Sequence, residues 1–250
     1  MAISVAQARL VSDRRFFVWM AYAMAATVFA GFAQTYFLAG LNDGPRPVLT
    51  PLIHIHGALC TAWVLLLVLQ TGLIAAGRRD IHKAVGVAGV GIAAFIFLTG
   101  LLVATHSHRR VHTAATADTL ADPYVFLVFP LTAVSVFALF VTLGALNRRR
   151  ADTHKRFMLL ATASLTIPAL ARITTQTAAA LGIAGVPGVV GAVVLVNAFL
   201  VAMVVHDFAS RGRLHPVTLW AGGFLLLSEP LRFVVGFSAP WQAFAQYLMT

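Results

Sequence analysis

Seven apolar runs of 20 to 25 residues, at 16–38, 52–76, 85–105, 124–146, 157–181, 189–208 and 217–238, leave this chain few ways to fold. A helix crosses the roughly 30 Å hydrocarbon layer of a bilayer in about 20 residues, at 1.5 Å per residue. The runs show no strict alternation of polar and apolar residues and are about twice the length of a barrel strand, which excludes a membrane β-barrel. Composition agrees: 60% of residues are hydrophobic and only 10% charged, against about 25% charged in soluble domains. The sequence predicts an all-α membrane bundle of seven helices, read as one domain over 1–250, with the lipid bilayer as its principal partner. Residues 239–250, aromatic and polar after Pro240, predict a short interfacial tail.

The formal charge of +10 comes from 18 Lys and Arg set against 8 Asp and Glu. In a soluble chain this would point to nucleic acid, but sorted along the sequence it becomes a topology signal. Thirteen cations precede the first run or lie in the second–third, fourth–fifth and sixth–seventh turns. Only Arg46, Arg109 and Arg110 fall on the opposite side. Cytoplasmic loops carry the excess of Lys and Arg. The expected arrangement is therefore N-terminus inside and C-terminus outside, in the inner membrane of a bacterium, with no role for nucleic acid.

Arg172 and Arg232, the two cations left over, fall within runs five and seven. Both lie roughly 8 Å below the outer boundary, from the helical rise. Glu229, the only glutamate, stands three residues before Arg232 and on the same helical face. Gln176 follows Arg172 by one turn, and Asn197 reaches a similar depth in run six. Pro168 and Pro230 interrupt the two helices that carry the arginines. Ionisable residues at membrane depth are costly and mark solute or proton paths when helices around them are broken. Arg172, Gln176, Asn197, Glu229 and Arg232 are thus a candidate polar pocket, for a small anionic solute or for propionates. An Arg–Glu–Arg network that only ties helices together fits the same residues.

Nine histidines offer a second kind of chemistry. His54 and His56 open the second run, while His106, His108 and His112 follow the third in what reads as an outer loop. Imidazoles at one depth on neighbouring helices suit a b-type haem or a transition metal. His56 and His106 are the candidate haem ligands, with His54 and His108 as alternates. His56, His106, His108 and His112 are the candidate metal set. Plain interfacial histidines remain equally open. On the other side, His82 and His154 each precede a run within a His-Lys pair, and His206-Asp207 sets a carboxylate beside an imidazole. Headgroup-gripping caps account for the first two.

No nucleophile elbow, phosphate loop or His-Glu-x-x-His is present. The one cysteine, Cys60, rules out a disulfide framework. The segments Pro51-Leu52-Ile53-His54-Ile55-His56-Gly57, Ile81-His82-Lys83-Ala84-Val85-Gly86 and His154-Lys155-Arg156-Phe157-Met158-Leu159 resemble those of a group of uncharacterised bacterial multi-pass membrane proteins. Arg213-Leu214-His215-Pro216 and Glu229-Pro230-Leu231-Arg232 extend the likeness. More loosely, the chain is similar to membrane b-type cytochromes, which implies haem and electron transport. It lacks the paired histidines on one helix that would stack two haems. The leading expectation is a membrane redox protein with one b-type haem or metal near the outer face and a redox partner. A small-solute or proton-coupled transporter is the alternative, and a structural or assembly subunit the third reading.

Overall fold

The computed structural model describes residues 5–41, 49–111, 122–183 and 188–249. Its elements are all helical among the described residues: α1 (Val5–Phe32), α2 (Pro51–Ala75), α3 (Arg79–Val111), α4 (Pro123–Phe126), α5 (Val128–Leu146), α6 (Ala151–Ala180), α7 (Gly188–Arg211), α8 (Pro216–Gly236) and α9 (Ala239–Met249). Seven helical stretches among them are long and apolar enough to span a bilayer, α4 and α5 together making one. Each coincides with a predicted run. Large apolar side chains cover the outside: Trp220 is 76% exposed, Val87 75% and Leu227 70%. Such a surface is stable only against lipid, so the chain is a multi-pass membrane protein.

α6 lies at the centre, packed against α1, α5, α7 and α8, while α2 bridges α1 to α3 and α3 leans on α5. Small residues allow the close packing. Ala161, Ala163 and Ala169 are buried, as are Thr162, Ser164 and Thr166. The hydroxyls of these last three return to carbonyls one turn back at 2.7–2.9 Å, so they bring no unpaired donor into the core. Where α1 crosses α6, Gly31 has no room for a side chain: a Cβ there would stand 2.6 Å from Ala169 Cα. On the other flank, the indole of Trp63 donates to Thr162 Oγ1 at 3.1 Å and meets Phe137 edge-on.

Polar pairs align the helix ends. Lys155 of α6 binds Asp13 of α1 at 2.6 Å, and Arg211 of α7 binds Asp152 of α6 at 2.8 Å. These contacts gather the cation-rich turns at one end of the bundle. The α2–α3 turn closes with Gly77 at φ +76° and Arg78 N–H donating to Leu73 O at 2.8 Å; the left-handed residue that ends α2 is therefore glycine.

Three expectations are corrected. His106 and His108 belong to α3, which runs to Val111 rather than ending at 105. The stretch 105–111 holds neither Gly nor Pro, and the Thr105 hydroxyl donates back to Leu101 O at 3.0 Å, so nothing breaks the helix. Arg156, counted with the turn cations, is only 1% exposed and belongs to the core. His206 and Asp207 do not act as a couple, because neighbours on a helix point about 100° apart. His206 binds Asp13 at 3.1 Å, while Asp207 binds Arg156 and the His215 N–H.

Candidate functional site

At the sparsely charged end, Thr50 caps α2 by accepting Ile53 N–H, and the π-helical turn Ala33–Phe37 after α1 lays Tyr36 over His54. His54 is exposed. His56 points inward, but both of its ring nitrogens are engaged. Thr99 donates its own hydroxyl proton to Phe95 O at 2.7 Å, so its oxygen accepts from His56 Nδ1–H at 2.9 Å. The second nitrogen, Nε2, accepts from the Cys60 thiol at 3.5 Å. Because His56 sits level with Thr99, His106 stands about 10 Å farther along α3, exposed on its surface. The two are not brought together. The side chain of His108 and all of His112 lie outside the described residues. Among the described residues, no three of His, Cys, Asp and Glu gather as a metal site.

The predicted polar pocket is joined only in part. Glu229 and Arg232 pair at 3.1 Å and are 0% and 3% exposed. Arg232 also approaches Ser228 Oγ at 3.5 Å. Glu229 Oε1 and Arg232 Nε are buried without a hydrogen-bond partner. Arg172 turns elsewhere: it donates to Pro168 O at 2.9 Å and lies over the Phe32 ring at 4.3 Å. Pro168 is exposed on the α6 surface; the acceptor freed by its missing N–H is the Ser164 carbonyl, four residues earlier, and not the one Arg172 uses. Asn197 donates to Val193 O at 2.7 Å, and Gln176 is half-buried. Among the described residues, no hydrogen bond or ion pair links Arg172, Gln176 or Asn197 to the Glu229–Arg232 pair.

An opening lies at the cation-rich end, where the ends of α2, α3, α5 and α6 surround a chamber of about 960 Å³. Trp63, Leu66 and Leu67 of α2 form its deep wall, and Val141, Ala145 and Met158 form the side towards α5 and α6. Gly86, Gly89 and Gly91 line the α3 side; a Cβ at Gly91 would meet nothing within 4 Å. Lys83, Arg148 and Arg149 stand at the rim. Among the described residues, no carboxylate lines the chamber. At Gly86 and Gly89 the Gln70 and Leu66 side chains of α2 come up against α3, a Cβ there standing 3.4 and 2.8 Å from them, and α5 and α6 close on each other, Gly144 against Met158 and Phe157; the open space lies between these two pairs of helices.

Two histidines that sequence reading had assigned to headgroup contacts face this chamber. His82, in the first turn of α3, and His154, in the first turn of α6, have ring centres 6.2 Å apart and planes at 88°. His154 Nδ1 donates to Gly144 O at 2.9 Å, which leaves Nε2 as a lone-pair nitrogen in the neutral ring. His82 Nδ1 is buried beside the Gln70 backbone, just outside hydrogen-bond geometry, and Gln70 Oε1 is buried without a partner. Gln70 Nε2 meanwhile donates to His82 O at 3.2 Å. The signal was present in the sequence, since each histidine precedes its predicted run by three residues and is followed by lysine. That α3 and α6 face each other was not.

Beside the chamber runs a buried polar network that the sequence reading also missed. Arg156 donates through Nε (3.1 Å) and Nη2 to Asp207 Oδ1. Asp207 Oδ2 accepts His215 N–H at 3.0 Å, and His215 Nδ1 caps α8 by accepting Val217 N–H at 3.1 Å. Burial, reinforced by Arg156 and Arg211, holds the His215 imidazole below its ordinary pKa. Phe16 stacks on His206 at 3.9 Å. The groups of this network satisfy one another. No family model, curated protein or solved structure matches the chain.

Proposed function

We propose that this multi-pass protein binds an amphiphilic redox cofactor, a bulky apolar body with an anionic end, in the chamber at its cation-rich end. The chamber itself carries the reading. Its volume of about 960 Å³ lies at the upper end of the range for small-molecule sites, about 300–1,000 Å³. Its walls are apolar, and its rim holds Lys83, Arg148 and Arg149. Among the described residues its lining holds no carboxylate, serine or cysteine, the groups that hydrolytic sites pair with a histidine. The positive-inside rule places this rim at the cytoplasmic face of a bacterial inner membrane, within reach of a soluble redox partner. The reading moves from His56 and His106 to this position because His106 stands exposed about 10 Å beyond the level of His56.

The test uses protein purified from its own membrane. A reduced-minus-oxidised visible spectrum, metal analysis and solvent extraction should find one chromophore or one quinone-like molecule per chain. Folded protein that is colourless, metal-free and empty on extraction would overturn the redox reading.

A transporter reading draws support from one further observation, the unpartnered Glu229 Oε1 and Arg232 Nε in the bundle interior. Buried polar atoms without partners are rare and call for an explanation, and a proton or small anion at this pair supplies one. In reconstituted vesicles, Glu229→Gln should then stop solute-driven proton movement. Flux equal to that of the unaltered protein would count against transport through this pair.

A further inference from the structure

We infer that the chamber holds a b-type haem with His82 and His154 as its two axial ligands. The inference rests on the reading of the chamber as a cofactor site and assigns that cofactor and its ligands. The first argument is the separation of the rings. Two imidazoles that ligate one metal from opposite sides are each about 2 Å from it through nitrogen, and each nitrogen is about 1 Å from its ring centre. The ring centres then stand about 6 Å apart, and the observed distance is 6.2 Å. Neither ring is spent on the other. His154 Nδ1 is used on Gly144 O, and the His82 side chain faces the Gln70 backbone, its Nδ1 just outside hydrogen-bond geometry.

The second argument concerns the number of donors. A bare zinc or copper ion takes three or four protein ligands. Only two imidazoles are present, and no third His, Cys, Asp or Glu joins them among the described residues. A porphyrin supplies four equatorial nitrogens itself, so two axial histidines complete its iron. The Nδ1–H of His154 on a backbone carbonyl fixes the ring orientation, as metal-ligating histidines usually require.

Shape and charge agree with a flat dianionic disc. Gly86 and Gly89 follow His82 at i+4 and i+7, on the same helical face. They let α2 come close to α3: a Cβ would stand 3.4 Å from Gln70 Nε2 at Gly86 and 2.8 Å from Leu66 Cδ2 at Gly89, so a macrocycle would lie against these two side chains rather than against bare helix. Met158 stands one turn after His154 and lines the opposite wall. Lys83, Arg148 and Arg149 at the rim suit two propionates.

The deciding experiment compares full-length protein with single variants in detergent, each titrated with haemin and, separately, with metal-free protoporphyrin IX. The unaltered chain should give the low-spin, six-coordinate spectrum of a bis-imidazole haem. His82→Ala and His154→Ala should each convert it to a high-spin form and weaken haemin binding at least about tenfold, while free imidazole restores the low-spin bands. Metal-free porphyrin should bind these variants as it binds the parent, which shows that the chamber survives. His56→Ala should leave the spectrum unchanged. Low-spin haem that persists in both variants, or iron and metal-free porphyrin bound alike with no low-spin species, overturns the ligand assignment and leaves the cofactor reading standing. A quinone in the chamber without iron does the same. Failure of both porphyrins to bind the parent overturns the assignment and the chamber's fit to such a cofactor together.

Discussion

Asp207 is the most consequential carboxylate in the bundle, and Asp207→Ala should destabilise it by about 3–5 kcal/mol. The substitution leaves the Arg156 guanidinium, 1% exposed, without its main counter-ion. Removing one partner of a buried pair costs about 3–5 kcal/mol because the other charge stays buried and uncompensated. The Asp152 carboxylate, 3.8 Å from Arg156 and 49% exposed, offsets about 1 kcal/mol at most. Loss of the acceptor for His215 N–H adds about 1 kcal/mol in the other direction. The two corrections roughly cancel. The paired variant Arg156→Leu/Asp207→Leu removes both charges, so only the orphaned His215 N–H remains and the loss should fall to about 1–2 kcal/mol. Equilibrium unfolding by SDS in mixed micelles, followed by circular dichroism, reads both values. A loss below about 1 kcal/mol for Asp207→Ala would refute the argument, and so would a paired variant at least as unstable as the single one.

Gly31→Leu should prevent the normal approach of α1 to α6, since even a Cβ would meet Ala169 backbone at 2.6 Å. Overpacking of this kind costs about 1–3 kcal/mol, while Gly40→Ala, where a Cβ meets nothing within 4 Å, should be near neutral in the same SDS titration. The cap of α8 should make stability depend on pH. The folded-state pKa of His215 lies below the ordinary 6.5, through burial and then the nearby arginines. Its contribution is therefore present above about pH 6.5 and lost as pH falls below that value, where the unfolded chain takes up the proton first. His215→Asn keeps a capping oxygen without the titration, and should flatten the fall in SDS midpoint between about pH 7 and pH 5. An unchanged slope would assign the effect to other groups.

Hydropathy made the seven spans legible because lipid imposes a simple rule on every residue of a spanning helix. The cations were equally readable as markers of one end. Lateral neighbours were not, since periodicity reveals a helix's faces but not which helix each face meets. His56 illustrates the limit. Its position near a helix start and beside small residues suited a ligand, yet Thr99, 43 residues away, and Cys60 take both nitrogens. His82 and His154, separated by 72 positions, share a chamber only because α3 and α6 pass each other at that end. The Glu229–Arg232 ion pair was legible because the two lie three residues apart on one helix, where geometry is local.

The triplet His154-Lys155-Arg156 shows how one turn of helix serves three neighbours. Successive residues project about 100° apart, so a run that resembles a cationic cap is divided among separate faces. His154 turns to α5 and the chamber, through Gly144 O. Lys155 turns to α1, through Asp13. Arg156 turns to α7, through Asp207, and from there to the N-terminus of α8 through His215. Position and rotation of α6 are therefore held from two directions by charge, while the third direction bears the His154 imidazole over an open chamber. A ligand histidine needs this arrangement, because its ring can be placed accurately only if the helix beneath it cannot turn. Lys155→Met should loosen one of the two anchors without touching the chamber. If His154 ligates iron, that variant should keep its low-spin haem but release it faster, whereas a histidine with no ligand role gives no haem signal to alter.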